Sequence, residues 1–432
     1  MAVQRSSLRA FLATARGSLR AAIDSSQKIT FVIGNESADL DSMTCSVLYA
    51  YLRSMSPPRN AFASVYVPIT NIPASGIQMR PEFVELFKHA NIESRHLITL
   101  DDLPELSMIQ SKLPPENTNW ILVDHNALQG QLGKIYSGRV GGVIDHHDDE
   151  GKVPAETGDE PRVVDRSGSC TSLVTEYCRQ AWDLLSSSGT PSGAANAQGD
   201  SSSDDSAIVA AWDAEAALLG LASILIDTSK LQSEDKTTSH DTKAVEYLEA
   251  KIMACPEVSG TYDRNRFYEA MDTAKKDIGR LQLQEILTKD YKQWDEKDEK
   301  LGISSVVKAV AFLRQKAKSE SIGDDDIDGA FLGALQEFAK ERELDLYSLM
   351  TTSTSSDGEF RRELLVWGFS EAGVTAAQEF ANDCREELGL EEWSGEGGYN
   401  GQGDGFWRHV WWQTKVQHSR KRVAPLLRKA MT

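Results

Sequence analysis

Residues 29–42 are Ile29-Thr30-Phe31-Val32-Ile33-Gly34-Asn35-Glu36-Ser37-Ala38-Asp39-Leu40-Asp41-Ser42, and this stretch decides the fold. Its first five residues are apolar or β-branched and are bounded by Gly34, which predicts a buried strand. Apolar residues then recur at helical spacing over 42–54 and predict a helix. A buried strand that runs through a short polar loop into a helix is the repeating unit of a parallel α/β sheet.

The same alternation of strand and helix patterns continues through the first half of the chain. We predict further strands over 63–67, 97–100, 120–123 and 142–144, and helices over 82–90, 171–185, 214–226 and 242–253. Strands that alternate with helices favour an α/β fold with a doubly wound parallel sheet, both faces of which are covered.

The chain is 432 residues long, too long for one ordinary core, and its 40% apolar content is enough to bury two. Pro256 and Gly260 interrupt the helical pattern, so we predict a catalytic domain over 1–254 and a smaller α/β domain over 265–432. Residues 186–206 are rich in Ser, Gly, Ala and Asp, which predicts a disordered insertion. In the second domain we predict helices over 266–287, 325–342 and 374–388, and strands over 344–352, 363–369 and 410–414. Residues 303–313 are predicted as one strand or as two strands joined by a turn.

Charge and cysteine content narrow the class of protein. A formal net charge of −19 argues against a general coat for nucleic acid. The five cysteines form no Cys-x-x-Cys pair and indicate reduced thiols in a cytosolic-type compartment. We find no apolar run of the roughly 18–20 residues that a membrane span needs. We therefore expect a cytoplasmic protein that binds neither nucleic acid nor membranes.

The first 23 residues allow two interpretations. They hold several arginines and no acid before Asp24, which is the composition of a mitochondrial transit peptide and leaves a mitochondrial pool open. The alternative is an amphipathic helix, because apolar residues recur at helical spacing. No clear cleavage signal precedes the strand at 29–33, which favours the helix. Its apolar positions are Leu8, Phe11, Leu12, Ala15, Leu19 and Ile23.

Carboxylates follow two of the predicted strands. Asp39 and Asp41 stand two residues apart in a loop and can face two neighbouring cations, although Asp41 or Ser42 can instead cap the helix over 42–54. Asp124 directly follows the strand over 120–123, where a carboxylate can bridge two ions or simply begin a turn.

Asp145-His146-His147 is the most specific cluster in the sequence. The chain has only eight histidines, and here an adjacent pair follows an acid at the end of a buried strand. Imidazole is the commonest metal ligand, and a neighbouring carboxylate fixes its tautomer; a purely structural histidine pair is the alternative. Asp227 ends an apolar segment, where a carboxylate is costly unless it is paired or binds a metal. Together these residues match two divalent cations that share a water able to attack phosphorus in line.

Two further segments suit an anionic ligand. Gly168-Ser169-Cys170-Thr171-Ser172 begins a helix with small hydroxylated residues that can donate to an anion or simply cap the helix. After Asp404 the chain contains basic residues and no acid, which suggests that it holds something anionic; a solvated basic tail is the alternative. These residues are Arg408, Lys415, Arg420, Lys421, Arg422, Arg428 and Lys429.

These clusters resemble the DHH phosphoesterase superfamily, named for the triplet that stands here as Asp145-His146-His147. Val123-Asp124-His125-Asn126 resembles its second motif and the 168–172 loop its fourth. Ser419-Arg420-Lys421 and Asp290-x-Lys292-x-Trp294 are similar to the phosphate-binding signatures of the DHHA2 type of second domain. That type occurs in family II inorganic pyrophosphatases, Prune-type proteins and fungal cytosolic exopolyphosphatases.

The first motif separates these relatives. Family II pyrophosphatases carry a histidine four residues before the first Asp, where this chain has Asn35, and the segment from Gly34 to Ser42 resembles the fungal exopolyphosphatases. Asp124-His125-Asn126 is closer to the pyrophosphatase form. A Prune-like enzyme for short polyphosphates or cyclic nucleotides and an inorganic pyrophosphatase are therefore the alternatives. An interaction protein without turnover has no need of so many intact ligands, and the Gly-Gly-Gly-His signature of the DHHA1-type nucleases is absent.

The resemblance implies an exopolyphosphatase with its site in the cleft between the two domains, and we expect a monomer. A metal-bound hydroxide would attack the terminal phosphorus of inorganic polyphosphate and release orthophosphate. Two divalent ions, Mg²⁺ or Mn²⁺, would be held by Asp39, Asp41, Asp124, His146 and Asp227. Catalytic roles would fall to His147, Asp145 and Asn35, and substrate binding to Lys292, Arg420 and Lys421.

Overall fold

In the computed structural model the chain divides between Lys275 and Lys276 into two units, called unit 1 and unit 2 below. The structure describes residues 3–187, 202–296, 299–321, 326–355, 357–403 and 405–432. Most of the predicted disordered insertion, residues 188–201, lies outside the described residues. Its two flanks are helical.

The strands of unit 1 are β1 Ile29–Ile33, β2 Tyr66–Ile69, β3 Thr118–Val123, β4 Val140–Asp145 and β5 Arg162–Val164. Its helices are α1 Leu8–Ser25, α2 Leu40–Met55, α3 Ala74–Ile77, α4 Pro81–His89, α5 Ile109–Lys112, α6 Gly130–Tyr136, α7 Cys170–Ser187, α8 Ser202–Asp227, α9 Ser239–Met253, α10 Pro256–Ser259 and α11 Arg264–Lys276. The last of these crosses the division by one residue.

The sheet of unit 1 is parallel throughout, with the strand order β2-β1-β3-β4-β5. Ile33 pairs with Leu122, and Val123 pairs with Ile144, so the carboxyl ends of β1, β3 and β4 lie at one edge. The direction in which strands are added reverses between β1 and β3. Such a switch point is where open α/β sheets bind their ligands. The predicted doubly wound α/β fold is confirmed.

Helix α1 forms as the amphipathic pattern predicts. Ser7 caps its first turn, and its apolar side chains are buried in the core of unit 1. Phe11 packs edge-on against Tyr51 of α2 at 5.5 Å between ring centroids.

Helices α7 and α8 pack against α2 and against each other, and the start of α7 lies beside the end of α8. Ser223, near the end of α8, donates its hydroxyl to Thr171 Oγ1 in the first turn of α7 at 2.8 Å. The segment Ser206–Asp227 is long and apolar enough to cross a membrane, but 72% of its apolar window is buried inside the unit. The expectation that no apolar run reaches this length is therefore wrong, and burial accounts for the composition of this core helix.

Unit 2 is built on a mixed sheet of order β10-β12-β9-β8-β7-β6, with β11 paired to β12. Only β7 and β8 are parallel neighbours in its described part. The strands are β6 Tyr291–Glu296, β7 Glu299–Val306, β8 Leu346–Thr354, β9 Phe360–Gly368, β10 Leu390–Glu392, β11 Gly401–Gly403 and β12 Phe406–Gln413. The helices are α12 Leu283–Lys289, α13 Val310–Glu320, α14 Ile327–Glu341, α15 Glu371–Asp383, α16 Arg385–Leu388 and α17 Arg420–Ala430.

The division between the units falls later than the predicted boundary at 255–264. Phe267 and Met271 of α11 are buried in the core of unit 1, which holds this helix there. The single helix predicted over 266–287 is two helices. The chain breaks around Gly279, and Ile278 and Leu283 turn into the core of unit 2 instead.

Two predicted strands are also corrected. Residues 97–100 make one parallel β-bridge, between Thr99 and Thr70, but form no strand longer than that. Asp102 Oδ2 accepts from the backbone N–H of Thr99 at 2.8 Å, and the chain turns into a 3-10 helix. The strand predicted over 303–313 ends at Val306. Helix α13 follows it, because Glu363 Oε2 accepts from the backbone N–H of Val310 at 2.7 Å.

Candidate metal centre

The candidate centre lies at the carboxyl edge of the sheet in unit 1. Asn35 follows β1, Asp124 follows β3, and Asp145 ends β4. Asp124 adopts a left-handed conformation with φ +59°. Its backbone N–H donates to Ile144 O at 3.0 Å, so the turn at the end of β3 is tied to β4.

The two oxygen atoms of the Asp124 carboxylate have different partners. Oδ2 accepts from Asn35 Nδ2 at 2.8 Å and from Ser42 Oγ at 2.6 Å. Oδ1 lies 3.1 Å from His146 Nε2. Two donors therefore fix one oxygen, and the other faces the imidazole.

The ring of His146 is oriented by the hydrogen-bond partner of its Nδ1 atom. Nδ1 lies 3.1 Å from Ser167 O, and a carbonyl can only accept, so Nδ1 carries the proton in neutral imidazole. Nε2 then presents its lone pair beside Asp124 Oδ1, with Asp41 Oδ2 3.9 Å away. This is the tautomer that a metal ligand needs.

Asp145 organises the histidine pair. Its Oδ1 accepts from the backbone N–H groups of His146 and His147 at 2.8 and 3.2 Å, and lies 2.8 Å from His147 Nδ1. Oδ2 accepts from Asn126 Nδ2 at 2.6 Å. Burial alone would raise the pKa of Asp145, but the hydrogen bond with His147 and the other donors hold it well below its usual value.

Asp41 is held by the N-terminus of α7. Its Oδ1 accepts from Ser169 Oγ, Thr171 N and Thr171 Oγ1 at 2.6, 3.0 and 2.7 Å, and its Oδ2 accepts from Cys170 N at 2.7 Å. Burial opposes the charge, but His146 and these hydrogen bonds leave the pKa of Asp41 below its usual value. These contacts favour the charged form of the Asp41 carboxyl group.

The donors of the 168–172 loop go to carboxylates of the protein itself. Besides Asp41, they reach Asp241 at the start of α9 through Gly168 N at 2.9 Å and Ser169 N at 3.2 Å. These donors thus contact two carboxyl groups of the chain itself and not the external anion that the sequence suggested. A Cβ atom on Gly168 would lie 2.5 Å from Thr228 Cγ2, so only glycine fits this approach.

Several carboxyl groups are buried close together in this centre, which makes it costly for all of them to be ionised. Burial, followed by the charges of Asp39 and Asp41, raises the pKa of Asp124 well above its usual value. Burial and the charge of Asp41 also raise the pKa of Asp227, at the end of α8, although the charge of Lys275 opposes this shift. A cation at this place would relieve both carboxylates.

The donor set fits a divalent metal ion. One ligand atom each of Asp124, His146 and His147 lies within 4.8 Å of the others. Carboxylates with imidazole suit ions such as Mg²⁺ and Mn²⁺. Asp39 is half-buried beside them, with its Oδ1 accepting from Ser42 N at 3.0 Å as the N-cap of α2. The cap is thus Asp39, and neither Asp41 nor Ser42 takes that position.

The predicted phosphate-binding residues lie in unit 2. Lys292 is in β6, and Arg420 and Lys421 begin α17, which is capped by Ser419. Arg420 donates to Asp290 O at 2.8 Å and to Asp290 Oδ1 at 2.7 Å. The two predicted signatures, 290–294 and 419–421, are therefore neighbours within this unit.

Sequence reasoning missed several residues that support the centre. Ser42 and Asn126 hold Asp124 and Asp145, and the guanidinium of Arg80 donates to the backbone carbonyls of Ser37 and Ala38. Asp241 had a local signal, because Thr238-x-x-Asp241 forms a capping box. Nothing in the sequence indicated the long-range contact between Asp241 and the 168–172 loop.

Comparison with known proteins agrees with this architecture. Residues 29–195 match the family described as the DHH family, N-terminal domain, and residues 269–430 match the DHHA2 domain. A Schizosaccharomyces pombe protein provisionally named as an exopolyphosphatase is 30% identical over 94% of this chain and 91% of its own length. The exopolyphosphatase PRUNE1 of Mus musculus is 28% identical over 68% of this chain, and the match spans 56% of that protein.

A solved structure extends the likeness to the fold. It comes from Methanococcus jannaschii, and its protein is provisionally assigned as a family II inorganic pyrophosphatase. The TM-score is 0.55 at 20% identity, with 93% of this chain and 99% of that chain covered. At 20% identity the match shows a shared fold and is not evidence for a shared activity.

Proposed function

The chain belongs to the DHH family of phosphoesterases and carries a DHHA2 domain, and from this premise we propose that it is an exopolyphosphatase. It would hydrolyse the terminal phosphoanhydride bond of inorganic polyphosphate and release orthophosphate. The observation that carries the proposal is the cluster of Asp124, His146 and His147 at the carboxyl ends of β3 and β4, beside the switch point of the sheet.

Two divalent cations are proposed at this cluster, bound by Asp39, Asp41, Asp124, His146 and Asp227. Bound there, they would lower the pKa of a water molecule and neutralise charge on the phosphates. His146 contributes Nε2, because its Nδ1 is committed to Ser167 O. Asp41 would contribute Oδ2, which accepts from Cys170 N, because its Oδ1 accepts three hydrogen bonds from Ser169 and Thr171.

His147 is proposed to move a proton. Its Nδ1 lies 2.8 Å from Asp145 Oδ1, which stabilises the protonated ring and fixes its orientation. Nε2 is then the atom that donates to the departing phosphate oxygen. Asp145 acts through His147, and Asn35 acts through Asp124.

Lys292, Arg420 and Lys421 are proposed to bind the phosphates. The two contacts of Arg420 with Asp290 orient its guanidinium, whose planar fork suits phosphate oxygens. Lys292 is on β6, which begins directly after Asp290, so it lies two residues along the chain from the residue that Arg420 contacts.

An inorganic pyrophosphatase is the second candidate, supported by the sequence Asp124-His125-Asn126. The geometry of Asn35 favours the first. Its Nδ2 donates to Asp124, and its Oδ1 accepts from Ser37 N at 2.9 Å. The amide nitrogen and the amide oxygen of Asn35 therefore both bond to groups of the protein. Family II pyrophosphatases have an imidazole ligand at this position.

The test compares initial rates of orthophosphate release from long-chain polyphosphate, tripolyphosphate and pyrophosphate, with Mg²⁺ and then with Mn²⁺. We expect rapid release from long chains, little from pyrophosphate, and none from Asp124→Asn. The matched control is Asp213→Asn, which alters a buried carboxylate bonded to Trp182 and Ser186 elsewhere in unit 1. Pyrophosphate as the best substrate would establish the second candidate, and no release from any of the three would refute both.

A further inference from the structure

Asp241 has more hydrogen-bond partners than a helix cap requires. It is fully buried at the third position of α9. A capping box needs only the contact with Thr238, whose N and Oγ1 donate to Asp241 Oδ2 at 2.7 and 2.9 Å. Three more donors come from far along the chain.

Those three donors all belong to the 168–172 loop. Gly168 N donates to Oδ2, and Ser169 N and Ser172 Oγ donate to Oδ1, at 2.9, 3.2 and 2.7 Å. The carboxylate thus holds the backbone on one side of the loop and a hydroxyl in the first turn of α7.

The same loop holds Asp41 from its other side. Ser169 contributes both contacts: its N–H donates to Asp241, and its Oγ donates to Asp41 at 2.6 Å. The next two residues, Cys170 and Thr171, donate their backbone N–H groups to Asp41. The position of Asp41 is therefore set by a loop whose own position is set by Asp241.

We propose that Asp241 is a positioning residue for the metal centre, acting through the 168–172 loop on Asp41. The inference rests on the proposed function, because Asp41 is a metal ligand only under that proposal. Outer-shell groups that orient a ligand typically change metal affinity about 10–100-fold when they are removed. Asp241 is one step further from the metal, so we expect the lower end of that range.

The experiment measures metal binding directly. Asp241→Asn keeps the volume of the side chain but turns an amide N–H₂ toward backbone N–H donors. Mn²⁺ binding to the metal-free full-length protein is measured by isothermal titration calorimetry, with thermal unfolding of the same samples. The control is Asp213→Asn, which removes a buried carboxylate with several donors that do not belong to this loop.

We expect the Mn²⁺ dissociation constant of Asp241→Asn to rise about 10-fold, while that of Asp213→Asn stays at the wild-type value. The Mn²⁺ concentration for half-maximal activity should rise with it, so that excess Mn²⁺ restores much of the lost rate. A purely structural role would lower the unfolding temperature of both variants alike and leave both metal constants unchanged, which would overturn the proposal.

A milder change covers the case in which Asp241→Asn does not fold. Ser172→Ala removes one donor to Asp241 Oδ1 and leaves the contacts of Asp41 in place. It should weaken Mn²⁺ binding about 3-fold, and an unchanged constant in a folded Ser172→Ala protein would count against the proposal. If wild-type protein bound no divalent ion, the proposed function would fail first, and that result is separate from any difference between variants.

Discussion

Asn35 Nδ2 lies 2.8 Å from Asp124 Oδ2 and 3.2 Å from Asp124 O. The contact joins the ends of β1 and β3, two neighbouring strands that are 89 residues apart at these positions. Ser42 Oγ, from the first turn of α2, donates to the same carboxylate oxygen. One buried amide and one hydroxyl therefore hold Asp124 on the side away from His146.

Asn35→Ala should lower kcat/KM for polyphosphate about 10–100-fold, because Asp124 Oδ2 loses a donor and the carboxylate gains freedom to rotate. Initial rates over a range of Mg²⁺ concentrations would measure this. Asn119→Ala is the matched control, since Asn119 lies near the opposite end of β3. Equal losses in the two variants would mean that the effect is on folding and not on Asp124.

Asp145→Asn should reduce kcat about 10–100-fold with a smaller effect on KM. The change removes a charged acceptor from His147 Nδ1 and from two backbone N–H groups. Combined with His147→Gln it should add little further loss, because the two side chains act as one unit. Asp149→Asn, which alters an exposed acid paired with Arg162, is the control. A fully additive double variant would contradict this reasoning.

The metal-free protein should become less stable as the pH rises from about 5 to about 8. The pKa values of Asp124 and Asp227 are raised in the folded state, so folding binds protons above the ordinary carboxyl pKa of about 4. The contribution of Asp124 and Asp227 to the free energy of unfolding is fully present below about pH 4, the ordinary carboxyl pKa, and is lost as the two groups ionise in the folded protein. Asp41 and Asp145 have lowered pKa values, so their contribution is lost only in more acidic solution.

Thermal unfolding with a chelator at several pH values measures this effect. Adding Mg²⁺ should raise the unfolding temperature most at the alkaline end, where both carboxylates are charged. Asp124→Asn should flatten the pH dependence of the metal-free protein. An unfolding temperature that climbed with pH in the presence of chelator would contradict the assignment of charge at this centre.

Arg420→Ala should raise KM for polyphosphate about 10-fold with a smaller change in kcat, because this residue is proposed to bind phosphate and not to react. Lys292→Ala should act in the same direction. Arg361→Ala removes a partly exposed arginine of β9 that pairs with Glu359, and it should leave KM unchanged. Similar KM values for all three variants would exclude a substrate-binding role for the first two.

Gly168→Ala should destabilise unit 1 by about 1–3 kcal/mol and weaken metal binding. The new Cβ would lie 2.5 Å from Thr228 Cγ2 and 3.0 Å from Asp241 Oδ2, so the loop would have to shift. Gly138→Ala is a matched control, because a Cβ there meets nothing within 4 Å. Denaturant unfolding of both variants with and without Mn²⁺ would decide whether loop shift and metal affinity are linked.

The sheet of unit 1 was predictable because each of its central strands is a short apolar run ending in polar residues. Parallel strands bring such ends to one edge, so Asp124 and the Asp145 triplet were expected to meet near Asp41. The supporting contacts were not predictable in this way. Asp241 lies far along the chain from the loop that it binds, and only the packing of α9 against α7 brings them together.

The C-terminal part of unit 2 was the least predictable. No helix was expected over 420–430, where Pro425 stands inside the segment and interrupts helical hydrogen bonding. Helix α17 forms nevertheless, because Val423, Ala424 and Leu427 are buried against the sheet. Tertiary packing outweighs local preference there, and Lys421, Arg422 and Lys429 lie on the exposed side of an amphipathic helix.

Helices α7 and α8 each have one end at the candidate metal centre and the other end away from it. Helix α7 starts at the loop that holds Asp41, and α8 ends at Asp227, whereas their other ends flank residues 188–201. The 18 residues of α7 correspond to about 27 Å of helix. An affinity tag or a fluorophore introduced between Ser187 and Ser202 would therefore be attached far from the groups that are proposed to bind metal.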